Sequence, residues 1–295
     1  MTPASARLAA SVPPTVRGPA PLGVRGRPLL HQATGELALA LLQPTIPEHE
    51  IRHHQHDDMH IVVLLAGRYV SDAEGMPEVC GEPAVIFNPP GTEHRDRFRS
   101  RDGRFMTFAM PAAAYARLSD GAVTSARAVR LPPSSLARAV GLLREIGDWD
   151  DASALAVESA FAEWVADAAT HAIPAGDDRL QRVRDRLDDA SAQPPSLREL
   201  ATVAGFHPVY LARAFRRRYG VSPSEYLRMR RLHRAVSLLA ARRSLADAAA
   251  TLGFADASHL HRRFVAEFGL TPGAFRRLAL GRGEVSRVQD RRLPR

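Results

Sequence analysis

The sequence predicts an α+β chain of two domains, with a sheet-rich N-terminal half and an all-helical C-terminal third. A length of 295 residues is about twice that of a typical domain. Short apolar runs between glycine and proline breaks dominate up to about residue 110, and helical periodicity follows. Residues 1–178 carry 16 Arg and 22 acidic residues, whereas residues 179–295 carry 24 Arg and 10 acidic residues. The net charge therefore changes from −6 to +14 along the chain.

Changes of composition divide the chain into five segments. Residues 1–26 are a Pro-, Ala- and Gly-rich arm, and residues 281–295 are a basic tail. The short strands expected within residues 27–110 predict a small β-barrel with room for one ligand. Residues 111–173 are predicted to be a helical linker or dimerisation segment, and residues 179–280 a basic helical domain.

The helical segment is expected to pack against the barrel. Its second helix has a predicted packing face at helical spacing, made of Leu155, Ser159, Ala162 and Ala166. The stretch from Leu136 to Ala168 is also the expected contact of a homodimer, because two chains would double the surface available to a partner.

Composition excludes several classes of protein. The lone Cys80 excludes an internal disulfide framework and fits a reducing compartment, so we expect the protein to be located in the cytoplasm. No run approaches the roughly 18 apolar residues that span a bilayer, so no membrane partner is expected. The sequence contains no G-x-S-x-G motif, no phosphate loop and no dinucleotide fingerprint, so we do not expect the protein to be an enzyme.

The basic domain contains an internal repeat. The segment from Ser196 to Phe206 matches the segment from Ser244 to Phe254 at an offset of 48, and after one insertion the offset becomes 49. Each copy predicts a Ser-capped helix, a glycine turn at Gly205 or Gly253, and a second helix with an exposed arginine face. This pattern predicts two helix-turn-helix units, and the alternative is a helical bundle with a solvated arginine face.

The segments GFHPVYLARAFRRRYGVSPSEYLRMRR and GFADASHLHRRFVAEFGLTPGAFRR resemble the two signatures of AraC/XylS-type regulators over residues 179–280. The resemblance implies two helical units joined by one long helix from about Ser224 to Ala240, which read double-stranded DNA. It also implies a small-molecule effector and contact with RNA polymerase. By motif position, base edges would be read by Val209, Ala212, Arg213, Ser258, His261 and Arg262, and phosphates held by Arg216 and Arg217.

Histidines are concentrated in EHEIRHHQHDDMH, and His94 follows in PPGTEH. His54, His56 and His60 have even spacing and share one face of an extended chain, whereas His49 and His53 are expected at the surface. The spacing resembles the two motifs of the cupin fold, which implies a barrel whose ligand site contains His54, His56, His60 and His94. His60 stands where the family has Glu, and Phe98 where it has Asn.

Two interpretations of these histidines remain open. Neutral imidazoles suit a divalent metal ion, and equally they can bond one another and the backbone inside a barrel. If the imidazoles bond to one another and to the backbone, no cofactor is required. The predicted function is an effector-controlled, DNA-binding transcriptional regulator, and the alternative is a metal-binding cupin enzyme or metal sensor fused to a DNA-binding module.

Overall fold

A computed structural model describes residues 26–45, 53–74, 76, 79–99, 102–119, 127–171, 178–189 and 194–281. Residues 1–25 of the predicted arm (1–26), residues 282–295 of the predicted tail (281–295) and His49 lie outside the described residues, and Gly26 belongs to the first strand. Sheets come first and helix-turn-helix units follow, which confirms the predicted α+β class.

The strands belong to the N-terminal half. They are β1 (Gly26–Thr34), β2 (Leu37–Pro44), β3 (His54–Gln55), β4 (Met59–Ala66), β5 (Tyr69–Val70), β6 (Val79–Cys80), β7 (Ala84–Asn88), β8 (Glu93–His94), β9 (Arg97–Phe98), β10 (Arg104–Met110) and β11 (Val129–Arg130). Within the described residues they form three antiparallel sheets, ordered β1-β2-β10-β4-β7-β11, β3-β8 and β6-β5-β9.

The large sheet is covered on both faces, which explains the continuous apolar run of β4. On its inner face, Val62 and Leu64 pack with Tyr69 and Phe98 of the three-stranded sheet. On its outer face, Ile61, Val63 and other residues pack against helices. Side chains alternate between the faces along each strand, so even-numbered residues of β4 point inward and odd-numbered residues outward.

The helices follow in two groups. The first group is α1 (Ala112–Ser119), α2 (Ser134–Gly147) and α3 (Ser153–His171). The second group is α4 (Asp178–Asp189), α5 (Leu197–Ala204), α6 (Pro208–Tyr219), α7 (Pro223–Ala240), α8 (Leu245–Thr251), α9 (Ala257–Phe268) and α10 (Pro272–Ala279). Within the described part of the chain, no helix has the length and apolar character needed to cross a membrane.

The predicted packing face of α3 is wrong. Leu155 is 68% exposed, and Ser159 and Ala166 are also exposed. The buried face is rotated around the helix and consists of Val157, Ala160, Phe161, Trp164, Val165 and Ala168. So many positions of this helix are apolar or small that spacing alone does not distinguish its two sides.

The two helix-turn-helix units have different surroundings. The first unit, α4 to α6 with the start of α7, has a core of its own around Leu211 and Phe215. The second unit, α8 to α10, joins the core between α2 and the large sheet. Helices α2 and α10 approach so closely that a Cβ on Gly147 would lie 2.3 Å from Leu278 Cδ2.

An ionic cluster connects the sheet domain to the first unit. Arg230 of α7 is 2% exposed, and it contacts Glu82 before β7 and Asp188 of α4. Arg234 contacts the same Glu82. Burial and then the charge of Arg234 lower the pKa of Arg230 to about 10, so its guanidinium stays charged at neutral pH. A buried charge of this kind needs its carboxylate partners, because leaving it unpaired is costly.

Replacing Glu82 therefore tests how strongly the two domains are held together. We expect Glu82→Gln to lower the free energy of unfolding by about 2 kcal/mol, because a charged hydrogen bond to buried Arg230 is lost. The measurement is urea denaturation. The matched control is Glu36→Gln, whose pair with Arg117 is exposed and should contribute less than about 1 kcal/mol. Equal effects of the two substitutions would contradict a structural role for the cluster.

Candidate functional site

The first helix-turn-helix unit is built by local signals that the sequence predicts. The Ser196 side chain accepts a hydrogen bond from the backbone N–H of Glu199, and the Glu199 carboxylate accepts one from the backbone N–H of Ser196. Gly205 ends α5 in the left-handed conformation with φ of 65°. Pro208 occupies the first turn of α6, where no backbone donor is needed.

The second unit repeats this construction with small changes. The Ser244 hydroxyl accepts a hydrogen bond from the backbone N–H of Asp247, and Gly253 turns the chain with φ of 71°. Asp256 caps α9 by accepting from the backbone N–H of His259 at 2.6 Å, a cap that the sequence analysis missed. In both units a left-handed glycine, Gly220 or Gly269, ends the second helix.

The predicted DNA-contacting side chains lie at the surface. Val209 is 56% exposed and Ala212 is half-buried, and the remaining residues are exposed: Arg213, Arg216, Arg217, Ser258, His261 and Arg262. The opposite sides of α6 and α9 hold Leu211 and Phe215, or Leu260 and Phe264, inside their cores. Each second helix therefore presents a cationic face to solvent.

Other residues of these helices alter the predicted surface. Arg263 is exposed, although the equivalent Ala214 is buried, so it adds a further charge to α9. Arg216 lies 3.6 Å from Glu225 of α7, which ties it to its own unit. Tyr210, which was not among the predicted site residues, presents an aromatic ring that is 51% exposed beside Val209. Helical spacing does not predict this exposure, because Ala214, four residues later and on the same side of α6, is buried.

The structure brings four predicted histidines together at one end of the sheet domain. Ring centroids of His56 lie 4.7 Å from His54, 4.7 Å from His60 and 5.0 Å from His94. The pairing of β3 with β8 places His54 opposite His94. Potential ligand nitrogens of His54, His56 and His94 all lie within 4.8 Å of one another. His53 is exposed and lies 3.0 Å from Asp72, outside the cluster.

Burial favours the neutral form of three imidazoles in the cluster, those of His56, His60 and His94. Desolvation, followed by the neighbouring His94 and His54, lowers the pKa of His56 to about 4. Desolvation also lowers the pKa of His60 well below its ordinary value, and it lowers the pKa of His94 despite the opposing charge of Asp96. Neutral imidazoles have a lone pair for a metal ion and an N–H for an acceptor. The site can therefore bind either a metal ion or a polar ligand.

Three buried polar residues at the cluster were missed in the sequence. Asp96 lies 3.6 Å from His94, Asn88 pairs in register with His60, and Thr107 faces the same interior. Polar atoms of Asn88 and Thr107 lack a hydrogen-bond partner within the described part of the protein, whereas Asp96 interacts with the hydroxyl group of Tyr69. The spacing His94-x-Asp96 was a usable signal, because residues two apart in a strand share a face. The other two require the strand register, which the sequence does not reveal.

Two further positions have structural roles. Phe98, which replaces Asn of the second motif, is buried and stacks on Phe105 with ring centroids 4.8 Å apart. Cys80 is buried beside it in the inner core, and burial raises the pKa of its thiol. Phe98 contributes packing at the place where the motif has a polar side chain, so the polar site depends on the histidines and their neighbours.

The lowered histidine pKa values predict how stability depends on pH. Between pH 6.5 and about 4 the unfolded chain binds more protons than the folded one, so the free energy of unfolding falls as the pH drops through that range. We expect the urea midpoint of the chelator-treated protein to fall from pH 7 to pH 5, and to fall less in His56→Gln. His53→Gln is the matched control outside the cluster, and it should keep the slope that the buried histidines produce. A pH-independent midpoint would contradict the prediction.

Comparison with known proteins covers both halves of the chain. The family described as AraC-like ligand binding domain matches residues 36–164, and the family described as Helix-turn-helix domain matches residues 200–278. A Bacillus subtilis (strain 168) relative, "Uncharacterized HTH-type transcriptional regulator YbfI", is 30% identical over 88 residues. That match spans 30% of this chain and 32% of the relative, so it covers about a third of the relative's length.

Similarity to solved structures is weaker in both sequence and fold. An AraC-type DNA-binding regulator from Chromobacterium violaceum is 25% identical, with 35% of this chain and 92% of that one covered and a TM-score of 0.33. ToxT from Vibrio cholerae strain SCE256, with an unsaturated fatty acid bound, is 10% identical over 82% of this chain and 94% of that one, with a TM-score of 0.35. The two family matches occur in the predicted order, and the chain therefore contains an AraC-like ligand binding domain followed by a helix-turn-helix domain.

Proposed function

We propose that this protein is a sequence-specific transcriptional regulator whose DNA binding is controlled by a small-molecule effector at the histidine cluster. The observation that carries the proposal is the repeated helix-turn-helix unit with an exposed cationic face. Arg213 and Arg262 occupy equivalent places in the two copies, and both are exposed. An arginine in this position can make a bidentate contact with guanine O6 and N7. The exposed Val209 offers an apolar contact for a thymine methyl group.

The length of α7 supports simultaneous binding by both units. This helix has 18 residues and therefore spans about 27 Å. Successive major-groove segments on one side of B-form DNA are roughly 34 Å apart. A linker of this length therefore suits two units that occupy neighbouring grooves, with α6 and α9 as the reading helices. The net charge of +14 over residues 179–295 would favour the phosphate backbone.

The effector is proposed to bind among His54, His56, His60 and His94. Buried polar atoms without partners support this site, because they lose hydrogen-bonding free energy until a ligand or water satisfies them. We further propose a homodimer, RNA polymerase contact and action in the cytoplasm. Most apolar residues of α2 face the core, so the exposed side of α3 around Leu155 is the better dimer surface.

Binding of the full-length chain to duplex DNA tests the proposal. A preferred duplex is first selected from a random pool, because the operator is unknown. Arg213→Ala should weaken binding to that duplex by about 1–3 kcal/mol and bring it closer to random DNA. Arg217→Ala should weaken binding to both alike and reduce the slope of log K against log salt by about 1. Gel shift at several salt concentrations measures both effects.

The full chain is needed because the second unit shares its core with α2 and the sheet. Arg117→Ala is the matched control, since Arg117 is an exposed arginine on α1. It should leave both affinities unchanged. Binding that shows no salt dependence would contradict DNA recognition, and an equal loss on selected and random duplexes for Arg213→Ala would contradict base reading.

A second candidate function is favoured by the convergence of the imidazoles. We propose that a divalent metal ion binds His54, His56 and His94, with His60 as a further ligand, so that the protein is a metal sensor or a metal-dependent enzyme. When bound, the ion would act as a Lewis acid or as the effector itself. The protein's part is to hold neutral ring nitrogens together and to exclude water around them.

Metal titration tests this second candidate. Addition of Zn²⁺ or Ni²⁺ to chelator-treated protein should raise the melting temperature in a concentration-dependent way. The double variant His56→Gln/His94→Gln should lose the shift and the metal content measured by elemental analysis. His53→Gln, outside the cluster, should keep both. A shift retained by the double variant would place the metal elsewhere.

The same double variant separates a sensor from an enzyme. A sensor should lose the metal-dependent change in DNA affinity and have no turnover to lose. An enzyme should lose turnover while its DNA affinity stays independent of metal. Gel shift with and without the metal ion distinguishes these results.

A further inference from the structure

A cavity of about 300 Å³ lies between the sheet domain and the first helix-turn-helix unit. One wall is the outer side of β7, with β11 and the turn that follows it. The other wall consists of α4, the loop between α6 and α7, and the middle of α7. Apolar side chains from both domains line it, including Val85, Leu131 and Met229. This size is at the lower end of the range found for small-molecule sites.

The charged lining of this cavity is mainly positive. Arg130, Arg184 and Arg218 line it together with the buried Arg230, whereas Asp188 is the acidic residue of the lining. Arg230 is already neutralised by Asp188 and by Glu82. Arg184 lies 3.7 Å from Asp185 of its own helix, and the charge of Arg130 acts on Asp188, so the four arginines outnumber the carboxylates around them. The cavity therefore has cationic groups in excess, and it suits an anion.

A buried histidine gives a second and independent indication of a ligand. His233 of α7 lines the cavity and is 1% exposed. Neither of its ring nitrogens has a hydrogen-bond partner within the described part of the chain. Burial, followed by the charges of Arg230 and Arg130, lowers its pKa well below the ordinary value, so the ring is neutral. A neutral imidazole without partners is unfavourable unless something in the cavity bonds to it.

We propose that this cavity is a binding site for a small organic anion, with one carboxylate or phosphate group on an apolar body. The anionic group lies against Arg130 and the arginines of the first unit. The apolar body contacts Val85, Leu131 and Met229, and a polar atom reaches His233. Because the walls come from both domains, the ligand binds only when they are docked, and it therefore stabilises that arrangement.

This site is separate from the histidine cluster. Val85 packs in the outer core, whereas the neighbouring Ile86 packs in the inner core. The cavity therefore lies on the outer side of β7, and His60, opposite Asn88, lies on the inner side. A ligand in one site does not occupy the other. The proposal goes beyond the effector and metal proposals and needs neither.

Calorimetric titration of the full-length protein tests the proposal without DNA. The probes are benzoate and phenyl phosphate, and neutral benzamide is the control ligand. We expect at least one anionic probe to bind and benzamide not to. Arg130→Gln should weaken binding by about ten-fold or more, because a charge-assisted contact is lost. Arg228→Gln is the matched control, since Arg228 is exposed on α7 and does not line the cavity.

A second variant separates binding from folding. His233→Leu removes the partnerless nitrogens at similar volume, so its urea midpoint should be unchanged or higher while binding of the probe weakens. The proposal is overturned if neither anion binds, if benzamide binds equally, or if Arg130→Gln and Arg228→Gln have the same effect. Loss of binding in His56→Gln/His94→Gln, with retention in Arg130→Gln, would also overturn it by placing the probe at the histidine cluster.

Discussion

The docking of the first helix-turn-helix unit against the sheet domain depends on one buried guanidinium. Arg230 lies at the middle of α7, and its neutralising carboxylates come from the sheet domain through Glu82 and from the first helix-turn-helix unit through Asp188. Asp188 also accepts a hydrogen bond from Tyr226 at 2.9 Å. A charge buried in this way tolerates few arrangements, because each carboxylate that moves away leaves it uncompensated. The cluster therefore favours one relative position of the domains.

Helix α7 extends this constraint to the second unit. Its first half, with Tyr226 and Leu227, belongs to the core of the first unit. Its second half, with Leu232 and Val236, belongs to the core that the large sheet, α2 and the second unit share. One continuous helix thus contributes to both units, so it fixes the position of the first unit relative to the second. Ligands that bind the docked state more tightly than an open state shift this equilibrium by their difference in affinity.

Local features could be predicted from the sequence, and long-range ones could not. Ser196, Gly205 and Gly253 have their effects within a few residues, so spacing alone identifies the caps and turns. The contact between Glu82 and Arg230 joins positions 148 residues apart, and no local pattern indicates it. The predicted packing face of α3 was wrong for a different reason. Where nearly every position is small or apolar, the buried side is decided by the partner surface.

The histidine cluster was predicted only in part, because it combines local spacing with long-range strand pairing. Even spacing predicted that His56 and His60 share a face, and a motif resemblance added His94. The remaining polar residues depend on register, since Asn88 joins the site only because β7 pairs with β4 opposite His60. Register is fixed in turn by the two covered faces of the sheet, as a shift of one residue would turn Val62 and Leu64 out of the inner core. The packing that stabilises the sheet therefore also determines which polar groups surround the imidazoles.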